Sequence, residues 1–425
     1  MAIRERERPE ASDGMPIHEI PANNKKRTYA TFTAAVNQGI RGGRNMKRLK
    51  IVCAITFVVL ISCVQAVEAE PFFTQQDLFS SGLDGVNIYR IPALIVSPKG
   101  TLLAFCEARD GDDGDPTDLV LKRSTYDGRP SKPRMINGYE RKFGYGVNWT
   151  RMQVVLPGNG KAIMQPCPVV DRITGEILIC CQEIRGGLAN LLKNEWHGRC
   201  LILKSADDGL TWSRPMDITE RVGHLAAGPG MGIQLRKGRL VVPGYSKDGS
   251  RVIYSDDHGK TWQAGAPVKK KGTNESQVVE LADGSLMLNM RQGGRCRYVA
   301  LSRDGGESWF KEFNEESLPD PGCQASLVRY PGQVEKAKDL LLFSNPPQPG
   351  PFEARINLTV RLSNDEGKSW RVSRKVDAGP GAYSCMAVLP DGTIGVLYET
   401  GLKHPYEKIT FARFNLDWLT AKNGK

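Results

Sequence analysis

Ser205-Ala206-Asp207-Asp208-Gly209-Leu210-Thr211-Trp212 is the first clean copy of an eight-residue pattern, S-x-D-x-G-x-[ST]-W. The pattern returns at 255–262 (SDDHGKTW), 302–309 (SRDGGESW) and 363–370 (SNDEGKSW). Its starts lie 50, 47 and 61 residues apart, about the length of one four-stranded propeller blade. Asp and Gly supply turn geometry, the hydroxyls satisfy turn amides, and Trp anchors a hairpin by burying a large ring. The aspartates are therefore read as structural. A fifth copy is broken: Ser124-Thr125-Tyr126-Asp127-Gly128 stops, and Asn148-Trp149 resumes after the basic insertion 129–147, read as an exposed loop at a hairpin tip.

Outward from these boxes the chain keeps the same character. Short β-branched and aromatic runs alternate with turn clusters such as LADG and LPDG, and 45 Gly and 26 Pro among 425 residues suit many tight turns. The expected class is all-β. The net charge of +11 would suggest nucleic acid, but residues 1–50 alone hold eleven Lys/Arg against five Asp/Glu. A modest basic balance remains, which suits an acidic small substrate better than a polyanion. No nucleic-acid partner is expected. Neither a His pair nor a Cys cluster has metal-ligand spacing, so no metal or cofactor is implied. Eight of the ten cysteines follow residue 70 and read as buried thiols. Gly228-Pro229-Gly230-Met231-Gly232 mimics a phosphate loop but lacks the following Lys and helix.

The start of the chain reads as an export signal. Lys47, Arg48 and Lys50 precede an apolar run from Ile51 to Val64, then small residues at Ala66 and Ala69. The division expected is a polar extension 1–45, with translation starting at Met46, a signal peptide 46–69 and one domain 71–425. Leu60-Ile61-Ser62-Cys63 also resembles a lipoprotein cleavage site, which would put a lipid anchor on Cys63. The protein is expected to be exported: secreted, periplasmic or held at the cell surface.

Three arginines stand in recognisable settings. Arg90 lies in Tyr89-Arg90-Ile91-Pro92, Arg291 follows Glu275 by sixteen residues, and Arg355 opens Arg355-Ile356-Asn357-Leu358-Thr359-Val360-Arg361. Tyr383 follows Arg355 by 28 residues, and Glu399 follows Tyr383 by 16. In this order, with four Asp boxes, the set resembles the exo-α-sialidase family, bacterial and lysosomal types, over residues 71–425. The resemblance implies a six-bladed β-propeller and removal of terminal sialic acids from glycans, glycoproteins or glycolipids. It implies an arginine triad of Arg90, Arg291 and Arg355 for the substrate carboxylate, since a guanidinium fork pairs bidentately with that group. It further implies Tyr383 as nucleophile, Glu275 as its base partner, Glu399 bracing Arg90, and Arg109 facing the sugar's hydroxyl end. The acid/base falls in Arg109-Asp110-Gly111-Asp112-Asp113: counting back from LVLKRS gives Asp113, and a one-residue gap gives Asp112. The rival calcium-loop reading lacks the frame and distal Glu. A monomer is expected. A non-catalytic sialic-acid-binding propeller and a trans-sialidase remain the alternatives.

The export reading predicts a mature N-terminus near Glu70, or at Cys63 if lipidated. N-terminal sequencing of exported protein checks it, and residues 1–45 still attached would overturn it.

Overall fold

A computed structural model describes residues 70–124, 134–136, 139–141, 147–184, 198–293, 295–330 and 340–421. The extension and the signal segment lie outside the described residues, as does most of the insertion. Within the insertion, Arg134–Ile136 pairs with Tyr139–Arg141 as a two-stranded ribbon.

The architecture is an all-β propeller built from antiparallel sheets in chain order. Ser276–Glu280, Leu286–Met290, Cys296–Ser302 and Lys311–Pro319 make one sheet; Ser326–Tyr330, Leu340–Asn345, Thr359–Ser363 and Val372–Lys375 make another. Position within a sheet explains composition. Leu286–Met290 (LMLNM) is buried at every residue because sheets cover both its faces, whereas the outermost Lys311–Pro319 (KEFNEESLP) is largely exposed or half-exposed. Each fully buried Leu or Val contributes about 1.5–3 kcal/mol, so the inner strands carry the core.

The last sheet closes the chain on itself. Gly381–Val388, Ile394–Thr400 and Lys408–Phe414 are joined by Phe73–Ser80, which pairs along Lys408–Phe414 from Phe73↔Phe414 to Ser80↔Lys408. The expected six separate sheets are not what hydrogen bonding delineates. Among the described residues there are five sheets of four or more strands, the largest with eight. It is that large because Thr117 and Ala162 form a single parallel pair. That pair joins Ile88–Val96, Leu102–Arg109 and Thr117–Arg123 to Ala162–Val170, Ile177–Ile184, Arg199–Ser205 and Met216–Asp217.

The inner segments set the ends of the axis. Their later residues, among them Val96, Val170, Gln234, Glu280, Arg329 and Val388, line one cavity of about 460 Å³. Their earlier residues gather at the opposite end. Met231, in the glycine-rich loop read above as no phosphate site, packs between three core clusters. Gly230 takes φ +126, and the Gly230 and Gly232 amides bond to the Pro166 and Pro168 carbonyls. The loop thus plugs the axis.

The boxes behave as the pattern predicts. In each, the Ser hydroxyl accepts the Gly amide at 2.8–2.9 Å and the Asp accepts the Thr/Ser amide at 2.9–3.0 Å. Trp262 and Trp309 are buried in the clusters between sheets. The Ser369 hydroxyl, with burial opposing and the Ser363 hydroxyl adding, holds the Asp365 carboxyl down at about 2. Asp365→Ala removes bonds from Ser363 Oγ (2.7 Å), Ser369 N (2.9 Å) and Ser369 Oγ (2.6 Å). It is expected to cost about 1–3 kcal/mol, read by urea unfolding at pH 7. This contribution is complete above the unfolded carboxyl's value of about 4 and is lost as pH falls through about 2. A variant as stable as wild type at pH 7 would remove the box from the scaffold.

Candidate active site

At the end of the axis opposite the cavity, the sequence neighbours of several sheets converge. Ser276 pairs with Met290, so Glu275 and Arg291, sixteen residues apart, sit opposite each other at the top of one hairpin. The Arg291 amide donates to the Glu275 carbonyl at 2.8 Å, and its Nη1 donates to Glu275 Oε2 at 2.6 Å. Tyr383 reaches the same pair from Gly381–Val388. Its hydroxyl donates to Glu275 Oε1 and accepts from Arg291 Nη1 at 2.9 Å. Burial pushes the Tyr383 phenol well above its ordinary range, the Glu275 charge adds to this, and Arg291 only partly offsets it.

Glu399 ties this strand to the first sheet. Fully buried, it accepts from Arg90 Nε (2.7 Å), the Ile91 amide (2.8 Å) and the Tyr383 amide (3.1 Å). The strand bulges between Arg90 and Ala93, with Ile91 at φ +58. The bulge is what turns the Arg90 side chain and the next amide toward one carboxylate. Arg90 Cζ lies 5.4 Å from the Tyr383 ring centroid and Arg355 Cζ 5.9 Å.

The family resemblance would put Arg355 on a strand just before a box, and it does not stand on one. It ends the 3₁₀ turn Phe352–Ala354, and regular strand resumes only at Thr359. Pro346, Pro347, Pro349 and Pro351 precede it and lack the amides a ladder needs. Its carbonyl instead accepts the Gly381 amide at 2.8 Å, which stitches it to the Tyr383 strand. Arg291 and Arg355 together border a cavity of about 340 Å³ whose wall includes Asn274, Gln292, Gly322 and Phe352.

The two acid/base candidates separate in space. Asp113 accepts from Arg109 Nη1 and lies 3.9 Å from Arg90 Nη1, with its side chain 56 % exposed. Burial opposes its ionisation, but Arg109 and then Arg90 outweigh it and hold the carboxyl low. The Asp112 amide instead bonds Asp115 Oδ2 at 2.9 Å, within the loop. Arg109 is itself buried and donates from Nε to Glu107 at 2.7 Å.

Several residues of the site carry no sequence motif. Glu107 accepts the amide of Gln165, a residue at φ +61, at 2.6 Å. Tyr406 touches two of the arginines. Beneath the site, Arg297 and Asp320 form an ion pair of 2.9 Å, both fully buried. Arg297 also donates to the Cys323 carbonyl (2.6 Å), and Asp320 accepts the Cys323 amide (3.0 Å). Cys323 packs with Ile91, Ala382 and Tyr383, so this pair fixes the floor under the tyrosine. The Cys323 thiol is pushed up to about 12, chiefly by burial, against the Arg355 charge. Among the described residues no group of three His, Cys, Asp or Glu is disposed to hold a metal.

A BNR repeat-like domain matches residues 100–396. A sialidase of Micromonospora viridifaciens is 37 % identical over 82 % of this chain and 55 % of its own length. Sialidase-3 of Mus musculus is 30 % identical over 82 % of this chain and 96 % of its own. The chain belongs to the sialidase family. The solved structure of Hadza microbial sialidase Hz136 superposes with a TM-score of 0.69 at 31 % identity, covering 81 % of this chain and 69 % of that one. Against the Micromonospora sialidase the chain spans little more than half the length. The matched repeat domain takes in Asp113, Glu275, Arg291, Arg355 and Tyr383 but neither Arg90 nor Glu399, so the first and last sheets complete the site from outside it.

Removing Asp320 leaves a buried guanidinium without its counter-charge. Asp320→Ala is expected to cost about 3–5 kcal/mol, seen as a lower urea midpoint. A cost below about 1 kcal/mol would show that Arg297 is satisfied without it.

Proposed function

We propose that this protein is an exported exo-α-sialidase that hydrolyses terminal sialic acids from glycoconjugates with retention at the anomeric carbon. The supporting observation is the Tyr383 hydroxyl bonded at once to Glu275 and Arg291, with Arg90 and Arg355 against the same ring. We also read the propeller as six-bladed, counting the eight-stranded sheet as two blades joined at Thr117 and Ala162.

Sialic acid bears a carboxylate on its anomeric carbon. Arg90, Arg291 and Arg355 are the cations that hold it, each charged hydrogen bond contributing about 1.5–3 kcal/mol. A carboxylate nucleophile would meet repulsion of about 4 kcal/mol at 4 Å and an effective dielectric near 20. Neutral tyrosine avoids this. As its oxygen attacks, the phenolic proton passes to Glu275, and Asp113, ionised in the free enzyme, takes up a proton once the substrate carboxylate neutralises Arg90 and delivers it to the departing glycosidic oxygen. Asp113 then takes a proton from water as that water displaces the Tyr383 oxygen, to which Glu275 returns the phenolic proton, so two inversions give net retention. Arg109, held by Glu107, keeps Asp113 at the mouth of the site. No cofactor enters the sequence of steps.

Tyr383→Phe removes one oxygen and leaves the packing and the arginines in place. On a 4-methylumbelliferyl sialoside, kcat is expected to fall by at least about a hundredfold, while a 2-deoxy-2,3-dehydro sialic acid still binds. In wild type, NMR should show the α-anomer of free sialic acid first. The β-anomer first, or a Tyr383→Phe variant with undiminished kcat, overturns the tyrosine mechanism. A wild type that binds sialosides without turnover makes the protein a lectin, and product found on a sugar acceptor makes it a transferase.

A further inference from the structure

Tyr406 lies in the turn between Ile394–Thr400 and Lys408–Phe414. Its ring stacks on the Arg90 guanidinium, 3.5 Å from Cζ to centroid, and its hydroxyl accepts from Arg355 Nη1 at 3.1 Å. One side chain therefore touches two of the three arginines that face Tyr383. A stacked guanidinium keeps its edge N–H groups free for an in-plane partner; among the described hydrogen bonds Arg90 gives only Nε, to Glu399, while its Nη1 lies 3.9 Å from Asp113 Oδ1. Arg355 is fastened on its other side by the Gly322 carbonyl at 2.8 Å, while its buried Nε has no partner among the described residues.

The phenol has a proton still to place. Its oxygen accepts from Arg355, and among the described hydrogen bonds its own O–H donates to nothing. Burial raises the Tyr406 phenol, and the Arg90 and Arg355 charges do not reverse this, so the proton is present at neutral pH. Asp113, Arg109 and Arg291 complete the charged groups around Arg90 and Arg355.

We propose that Tyr406 is a fourth member of the carboxylate site: it sets the angle between Arg90 and Arg355 and donates its phenolic hydrogen to the substrate carboxylate. The assignment rests on the sialidase reading. A role in packing alone is the rival, since Tyr406 also meets Phe352 and His404, with ring centroids at 5.7 and 4.7 Å. Phenylalanine separates the two roles, because it keeps the ring and loses only the hydroxyl.

The experiment measures, by calorimetry, binding of 2-deoxy-2,3-dehydro-N-acetylneuraminic acid and its neutral methyl ester to wild type, Tyr406→Phe and Tyr406→Leu. Turnover of a 4-methylumbelliferyl sialoside is followed alongside. Tyr406→Phe should weaken the acid about tenfold, as loss of one hydrogen bond to a charged group does, and the ester less than about threefold. It should raise KM by more than it lowers kcat, and Tyr406→Leu should lose more on both ligands. If Tyr406→Phe binds the acid as wild type does, or loses acid and ester equally, the assignment is overturned and packing is the role. Should Tyr406→Leu fail to fold, the Phe variant alone decides. A wild type that binds neither ligand overturns the sialidase reading and this assignment with it; a wild type that binds, with an indifferent Phe variant, overturns this assignment alone.

Discussion

A single buried carboxylate holds the two ends of the chain in one site. Glu399 has no exposure to water, and a lone carboxylate there would carry a desolvation cost of several kcal/mol. It is compensated by three donors: the Arg90 guanidinium, the Ile91 amide and the Tyr383 amide. Those donors belong to the first and last sheets of the propeller. The geometry that satisfies the carboxylate is therefore the geometry that sets Arg90 beside Tyr383. A buried pair of this kind is weak grounds for global stability, but it leaves few alternative arrangements of the residues around it.

The same logic repeats with different residues. Glu275 is held between Arg291 and Tyr383, Glu107 between Arg109 and the Gln165 amide, and Asp320 between Arg297 and the Cys323 amide. Each carboxylate takes an arginine from its own sheet; Glu275 and Glu107 add a hydrogen bond from a distant part of the chain, and Asp320 adds the amide three residues on. Three of the buried carboxylates thus surround the tyrosine at one end of the axis. The cavity at the far end mixes aliphatic side chains with Arg172, Arg236, Glu280 and Arg329, and the boxes keep their aspartates busy within their own turns. Scaffold and site use the same residue types but do not share partners.

Much of this was legible beforehand because it is local. The boxes bond within eight residues, so their spacing marks each hairpin and with it the propeller class. Glu275 and Arg291 were marked by the family resemblance, and the hairpin between them sets them side by side. The insertion resisted reading because its composition points only to a loop. Arg297, in a strand, looks like any solvated arginine until Asp320 is found beside it. The single pair Thr117 and Ala162, which merges two sheets into one, has no sequence mark at all. Asp112 and Asp113 differ by one residue of loop register, and the contacts of Asp113 with Arg109 and Arg90 carry no sequence mark.

What the sequence determined by itself was the repeating hairpin and the all-β propeller, because each is written in short-range patterns. Tertiary structure alone decided that Arg355 stands on a proline-bounded turn, that Phe73–Ser80 closes the ring against Lys408–Phe414, and that Tyr406 lies between two arginines. Those contacts span up to 341 residues of chain, from Phe73 to Phe414. Their cause is the burial of inner strands on both faces, which brings the strand starts to one end of the axis whatever their distance in sequence.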